Sequence, residues 1–141
     1  MPLTRVYLAL TPADLDRLAD EGTLGAAPRP AHAVTPAVGT PGLTTDAEEL
    51  EHLAWVAATQ EAGSTTAAGT RRVVAAADVE VEAVTHPTAP DVPSRVEVTE
   101  PVGRRQVVSF HVDEEPGATG TTDLLWYDVT ELDDVRALVA P

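Results

Sequence analysis

Hydrophobic and polar residues alternate along much of the chain in patterns that predict a sheet. An apolar run at 5–10 predicts a buried opening strand, and alternation predicts further strands at 72–82, 95–100 and 108–113. The strand at 72–82 is apolar on both faces at its start and acidic on one face towards its end. This pattern is typical of a strand that is covered on both sides at one end only. Gly103, between the last two of these strands, indicates a hairpin.

A helix is predicted directly after the opening strand. Thr11 and Pro12 are typical of the first residues of a helix, because a hydroxyl group caps free amides and proline suits the first turn. Gly22 is typical of the residue that follows a helix. We therefore predict a helix at about 12–21.

A second helix is predicted by the sequence TDAE at 45–48, in which a hydroxyl group precedes a carboxylate by three residues. The apolar periodicity that follows extends this helix over about 46–62, and Gly63 is its expected end. The expected core face of the helix consists of Leu50, Leu53, Ala54 and Ala57.

These elements predict an α+β fold in a single domain that spans residues 1–141. Because the later strands follow the helices, the sheet should be mostly antiparallel or mixed, with about five to six strands. The two main helices are those at about 12–21 and 46–62. Loops rich in Gly, Pro and Thr, which we expect to be mobile, lie near 23–30, 36–44, 63–70, 85–94 and 114–122.

Composition narrows the range of functions. The chain carries 23 acidic and nine basic residues, and its net charge of −14 opposes binding to nucleic acid or to an anionic membrane. It has no cysteine, which excludes disulfides, thiolate metal sites and cysteine nucleophiles. No apolar run has the length of a membrane span and the N-terminus lacks a signal-peptide pattern, so we expect a cytoplasmic protein.

The most distinctive stretch is DLLWYDVTEL at 123–132, which contains Trp126 and Tyr127 side by side. As a strand, this stretch would place the two rings on opposite faces of the sheet. One interpretation makes Trp126 or Tyr127 a contact for a ligand or partner, with Trp55 on the flank of the second helix as a further anchor. The other interpretation places the rings in the core, since large rings are usually buried.

Two pairs of arginines each precede a predicted strand. Arg71 and Arg72 stand before one strand, and Arg104 and Arg105 before another. If both strands start at the same edge of the sheet, four guanidinium groups would cluster and could hold a phosphate or a carboxylate. The alternative is that these are charged strand ends that discourage edge-to-edge pairing.

Motifs for metal, cofactor or catalytic chemistry are missing from the sequence. The four histidines lack the spacing of metal ligands, although His111 and Asp113 share one face of a predicted strand. No glycine-rich phosphate loop, nucleophile elbow or zinc-protease motif occurs. We therefore predict no metal, no cofactor and no catalytic residue, and we interpret most of the carboxylates as a solvated surface.

Three stretches carry a resemblance to a known family. They are RVYLALT at 5–11 with the helix of Asp14 and Leu15, RRVVAAADV at 71–79, and DLLWYDVTEL at 123–132. Together they resemble a family of small, uncharacterised actinobacterial proteins, a domain of unknown function. The resemblance spans most of the chain and implies one domain, but it implies no activity, cofactor or catalytic residue.

A second similarity rests on Tyr7, Leu15, Gly22 and the stretch AHAVTP at 31–36. Their order is similar to that of ADP-ribosyltransferase-like folds, which begin with a strand, a helix, a glycine and a short strand ending in a Thr-rich turn. Those folds carry a nicotinamide-binding histidine after the first aromatic position, where this chain has Leu8. The similarity therefore concerns the fold, and fold and function are separable.

Two functions from different classes are compatible with these patterns. The first is a non-catalytic protein-interaction or regulatory domain that binds a protein partner or a second copy of itself. The second is a nucleotide- or phosphate-handling enzyme, in which an arginine pair holds the anion and a nearby carboxylate acts as base. We favour the first because the motifs of the second are missing.

Overall fold

The computed structural model describes residues 2–35, 46–65, 69–88, 92–121 and 124–140. In this part of the chain, seven strands form one sheet in the order β4-β5-β2-β1-β3-β6-β7, and all neighbouring strands are antiparallel. The strands are β1 (Leu3–Leu10), β2 (Arg29–Ala33), β3 (Val73–Glu80), β4 (Val84–Thr85), β5 (Arg95–Val98), β6 (Val107–Asp113) and β7 (Leu124–Asp128). The helices are α1 (Pro12–Glu21), α2 (Ala47–Thr65) and α3 (Leu132–Val139).

The α+β class and the two main helices are confirmed, but the sheet has more strands than predicted. The two-residue strand β4 pairs with β5 at the edge of a segment predicted as a loop, and a third helix, α3, closes the described chain. Among the residues described, no helix combines the length and the apolar character that crossing a membrane requires. The predicted loop at 36–44 and parts of those at 63–70, 85–94 and 114–122 lie outside the described residues.

Helix α1 begins and ends where its sequence predicts. The Asp14 amide donates to Thr11 Oγ1 at 3.2 Å, and the Thr11 amide donates to Asp14 Oδ2 at 2.9 Å. These two bonds form a capping box that satisfies free amides of the first turn. At the other end Gly22 has a φ of 73°, and its amide donates to the Leu18 carbonyl. Glycine adopts this left-handed conformation without the steric cost of a Cβ.

Helix α2 differs from its prediction at its end and on its core face. It continues through Gly63 to Thr65, while the capping residue predicted at position 45 lies outside the described residues. Its buried residues are Ala54, Ala58, Thr59 and Ala62, whereas Leu53 is 44% exposed. Because the alanine stripe packs on small residues of the sheet, the helix lies close to the strands and leaves the leucines outside.

The sheet has a core on each face. On the face covered by α1 and α3, the buried residues include Leu8, Leu15, Leu18, Val73, Ala75, Val79, Phe110, Leu132 and Val135. On the face covered by α2, the cluster is smaller and consists of Tyr7, Ala54, Ala58, Ala62, Val74 and Ala76. The predicted alternation of β3 is confirmed through Val79, but Val81 is 45% exposed because the strand has already ended in a short 3₁₀ turn.

The hairpin predicted around Gly103 is wrong. Strand β5 pairs with β2 and β4, whereas β6 pairs with β3 and β7, so three strands lie between β5 and β6. The connection instead crosses the end of the sheet and binds the loop after α1. The Leu24 amide donates to the Val102 carbonyl, and the Arg104 amide donates to the Gly22 carbonyl, each at 2.9 Å.

The two arginine pairs do not share an edge of the sheet, so the condition for their clustering is not met. Strands β3 and β6 are antiparallel, and Val73 at the start of β3 pairs with Val112 near the end of β6. The two strands therefore start at opposite ends of the sheet. Arg72 is buried, and its backbone N, Nε and NH2 donate to the Asp113 carboxylate at 2.7 to 2.8 Å.

The buried ion pair of Arg72 and Asp113 should contribute strongly to the free energy of unfolding. Asp113→Asn leaves the Arg72 guanidinium without its counter-charge in a buried site, so we expect a loss of about 3–5 kcal/mol in the free energy of unfolding. The control is Asp16→Asn, which breaks the exposed pair between Asp16 and Arg136 and should change stability very little. Urea denaturation followed by circular dichroism measures both. Equal losses in the two variants would contradict this account of Arg72.

Candidate functional site

An open groove lies between the N-terminal half of α2 and the strands that α2 leaves uncovered. Helix α2 packs mainly on β1, β2 and β3, whereas on the same face of the sheet Trp126 of β7 is 60% exposed and His111 of β6 is half-buried. The groove has a volume of about 590 Å³, within the range of about 300–1,000 Å³ for ligand sites. We call it the aromatic groove, and define it by Arg5, Tyr7, Glu48, Glu51, His52, Trp55, Ser109, His111 and Trp126.

The rings of the aromatic groove form a connected set. Trp55 stacks on His52 with ring centroids 5.7 Å apart, and it meets His111 edge-on at the same distance. Trp126 of β7 pairs with His111 of β6 across the ladder. Trp126 is 60% exposed, so a tryptophan lines the groove with most of its side chain accessible. A partner that covers this ring would bury a large apolar surface.

Regular spacing brings these side chains together. One side of α2 carries Glu48 and the residues three, four and seven positions after it, which are Glu51, His52 and Trp55. Strand alternation places Ser109 and His111 on the same face of β6. The helical spacing could thus have indicated the aromatic groove, but among its residues only Trp55 and Trp126 were interpreted as contacts for a partner.

The charges in the aromatic groove favour a positive ligand. Arg5 forms two hydrogen bonds with the Asp78 carboxylate, at 2.6 and 3.1 Å, which raise the pKa of Arg5. The charge of Glu51 also acts on Arg5, although within the described chain neither Glu48 nor Glu51 lies within ion-pair distance of a cation. The carboxylates of Glu48, Glu51 and Asp78 thus outnumber the one guanidinium of Arg5.

The imidazole of His111 is held in its neutral form. Burial lowers its pKa, and the nearby guanidinium of Arg5 lowers it further. Tyr7 also favours its neutral form, since burial and then the charge of Glu51 raise its pKa. His111 is thus a polar but uncharged part of the groove wall near neutral pH.

The structure separates the six contact residues that the sequence suggested. Trp126 lines the aromatic groove, whereas Tyr127 is on the opposite face and packs against the core under α3. Arg71 donates to the carbonyls of Leu138 and Glu114. Arg72 is occupied by Asp113, as described above.

Arg104 and Arg105 line a different cavity, of about 620 Å³, together with Gly22, Gln106, Val129 and Thr130. Both side chains are exposed, and neither has an ion pair in the described chain. The two arginine pairs therefore occupy separate sites, and the four guanidinium groups do not form a common anion site.

A second cluster of polar residues is buried beneath the C-terminal half of α2. His32 Nδ1 lies 2.7 Å from Ser94 Oγ, and His32 Nε2 lies 3.3 Å from Glu61 Oε2. The order of hydroxyl, imidazole and carboxylate is that of a hydrolase triad, but Ser94 is only 3% exposed, so a substrate cannot reach it. The hydrogen bond with His32, aided by the charge of nearby Arg95, lowers the pKa of Glu61. The cluster ties α2 to β2 and β5.

The described residues contain no group of three histidine or carboxylate side chains placed to hold a metal ion. His111 and Asp113, which share a strand face, act separately. His111 lies 3.4 Å from Ser109 Oγ and contacts Trp55, while Asp113 binds Arg72.

Comparison with known proteins places the chain in a family. The model of a family of unknown function, DUF6912, matches residues 4–135, nearly the whole chain. The chain belongs to this family. No curated protein and no solved structure matches it. Membership in a family of unknown function is thus confirmed, and the similarity to ADP-ribosyltransferase-like folds stays a prediction. Leu8, at the position of the histidine of those folds, is fully buried.

The neutral state of His111 predicts a pH dependence of stability. As pH falls below about 6.5, the unfolded chain takes up a proton on this imidazole before the folded chain does. Stability should therefore fall between about pH 7 and pH 5, by at most about 1.4 kcal/mol per pH unit for this one group. Glu61 contributes only at lower pH, since its pKa is held below 4.5.

The measurement is the free energy of unfolding in urea at several pH values, for the wild type and for His111→Gln. The variant should have a flatter dependence between pH 7 and pH 5, whatever its absolute stability. The same slope in both proteins would show that another group is responsible.

Proposed function

We propose that this chain is a cytoplasmic, non-catalytic binding domain that recognises a protein partner through the aromatic groove. The observation that carries the proposal is the 60% exposure of Trp126 beside Trp55, in a groove of about 590 Å³. Tryptophan is among the residues that contribute most to binding at protein interfaces. A large ring left in water at the rim of a groove supports an interface better than a role in the core.

The same groove offers little for catalysis. In the described part of the groove, the one hydroxyl in contact with an imidazole is that of Ser109, beside His111. Ser109 Oγ lies 3.4 Å from His111 Nε2, which is long for proton transfer. Ser109 is 3% exposed, and the second contact of the His111 ring is Trp55, which cannot orient an imidazole as a carboxylate would. A binding role needs none of these groups to react.

The alternative function, a nucleotide- or phosphate-handling enzyme, has one observation in its favour. Arg104 and Arg105 are exposed, lack ion pairs in the described chain and line a cavity. That cavity contains neither a histidine nor a carboxylate among its lining residues to act as a base. The arginines therefore support anion contact more than they support phosphate chemistry.

The proposal is tested by comparing Trp126→Ala with Leu125→Ala in an extract of the host cell. Leu125 is the matched control, because it precedes Trp126 in β7, is 45% exposed and lies on the opposite face. Size-exclusion chromatography with light scattering compares the apparent mass of each protein with the 14.8 kDa of the single chain.

We expect the wild type and Leu125→Ala to elute in a complex, and Trp126→Ala to elute as the single chain. Loss of a central tryptophan typically costs 2 kcal/mol or more, about a 30-fold weakening. If the wild type elutes at 14.8 kDa from the extract, or if all three proteins elute together, the proposed function is wrong.

A further inference from the structure

We propose that the aromatic groove binds a guanidinium or ammonium side chain carried by a basic segment of the partner protein. This inference rests on the proposed function and adds the chemistry of the partner. It is carried by the combination of ring faces and unpaired carboxylates in one groove.

The groove offers an exposed ring face. Trp126 is largely exposed, whereas the Trp55 indole already stacks on His52 and meets His111 edge-on. A cation placed over an indole face is attracted by the negative face of the ring system. An apolar ligand would use the same surface, so the rings alone do not decide between the two.

The charge of the groove favours a positive ligand. Glu48 and Glu51 line the groove, and neither has an ion-pair partner in the described chain. Among the described residues, Arg5 is the one arginine that lines the groove; it is paired with Asp78, and the charge of Glu51 also acts on it. A cation would meet an excess of negative charge, whereas a phosphate or a nucleotide would meet Glu48 and Glu51 as like charges. The charges thus decide for a positive ligand.

The surface beside the groove indicates which kind of molecule carries the cation. Beside the groove, a cavity of about 370 Å³ is lined by Glu48, Glu49, His52 and Leu53. It shares Glu48 and His52 with the groove, so acidic and apolar surface continues across α2 to the 44% exposed Leu53. A single ammonium compound would fill only part of this surface, whereas a peptide segment follows it from Trp126 to Leu53.

A second copy of the chain fits this surface less well than a basic protein does. Each copy carries a net charge of −14, so two copies repel each other within the screening distance of about 8 Å at physiological salt. A basic partner is attracted by the same charge. The occupant is therefore a different, positively charged protein segment.

The test uses a fluorescently labelled peptide, acetyl-Gly-Arg-Gly-Arg-Gly-amide, and the same peptide with citrulline in place of arginine. Citrulline keeps the shape of arginine and removes its charge. Fluorescence anisotropy measures the binding of each peptide to the full chain at 0.15 M salt. We expect the arginine peptide to bind about ten-fold more tightly than the citrulline peptide, because each cation and ring contact typically accounts for a few-fold to a 30-fold effect.

Two double variants separate the groove from general attraction by an acidic protein. Glu48→Gln with Glu51→Gln removes the groove carboxylates and should abolish the preference for arginine. Glu97→Gln with Glu100→Gln removes the same charge at exposed positions on and just after β5 and should leave the preference unchanged. Trp126→Ala should weaken the binding of both peptides to the protein.

Equal binding of the two peptides, equal effects of the two double variants, or no saturable binding up to millimolar peptide would overturn the inference. Free acetyl-arginine-amide binding as tightly as the peptide would show that a small molecule is the source. Self-association that is lost in Arg104→Glu with Arg105→Glu would show that the occupant is a second copy. A complex that depends on Trp126 but shows no preference for arginine would agree with the proposed function and would contradict only the inference that the ligand is a cation.

Discussion

The open surface of this protein follows from one geometric constraint: in the described part of the chain, a single helix covers one face of a seven-stranded sheet. Neighbouring strands lie about 4.8 Å apart and a helix is about 10 Å across, so one helix covers roughly three strands. Helix α2 packs on β1, β2 and β3, at the middle of the sheet. On that face, β6 and β7 are left to form the floor of a groove. On this floor Trp126 is therefore available to a partner, whereas His111 is half-buried against Trp55.

The position of α2 is fixed by its smallest residues and by polar contacts near its C-terminal end. Ala54, Ala58 and Ala62 allow a close approach to the sheet, and Glu61 binds His32 beneath it. Arg72, whose side chain lies beside Gly63, is itself held by the buried Asp113 carboxylate. The N-terminal half of α2 continues from this anchored end along the sheet, and its residues Glu48, Glu51, His52 and Trp55 line the groove.

Local signals predicted the parts of the fold that depend on neighbouring residues in sequence. The cap at Thr11, the end of α1 at Gly22 and the alternation of β3 through Val79 appear as predicted. Long-range pairing could not be predicted, because β5 finds its partner in β2 instead of in the strand that follows it. The predicted hairpin is wrong for this reason, and the two arginine pairs lie apart because β3 and β6 are antiparallel. The groove was missed because its residues come from four elements, β1, α2, β6 and β7, and only the spacing along α2 is visible in the sequence.

The central claim is that Trp126 faces water, whereas Trp55 is half-buried against His52 and His111. Acrylamide quenching of fluorescence tests this directly in two single-tryptophan proteins, Trp55→Phe and Trp126→Phe. If the claim holds, the protein that retains Trp126 is quenched several-fold more efficiently and emits at longer wavelength than the one that retains Trp55. If Trp126 is quenched as weakly as Trp55, the ring is covered within the chain itself and the groove is not the open surface described above.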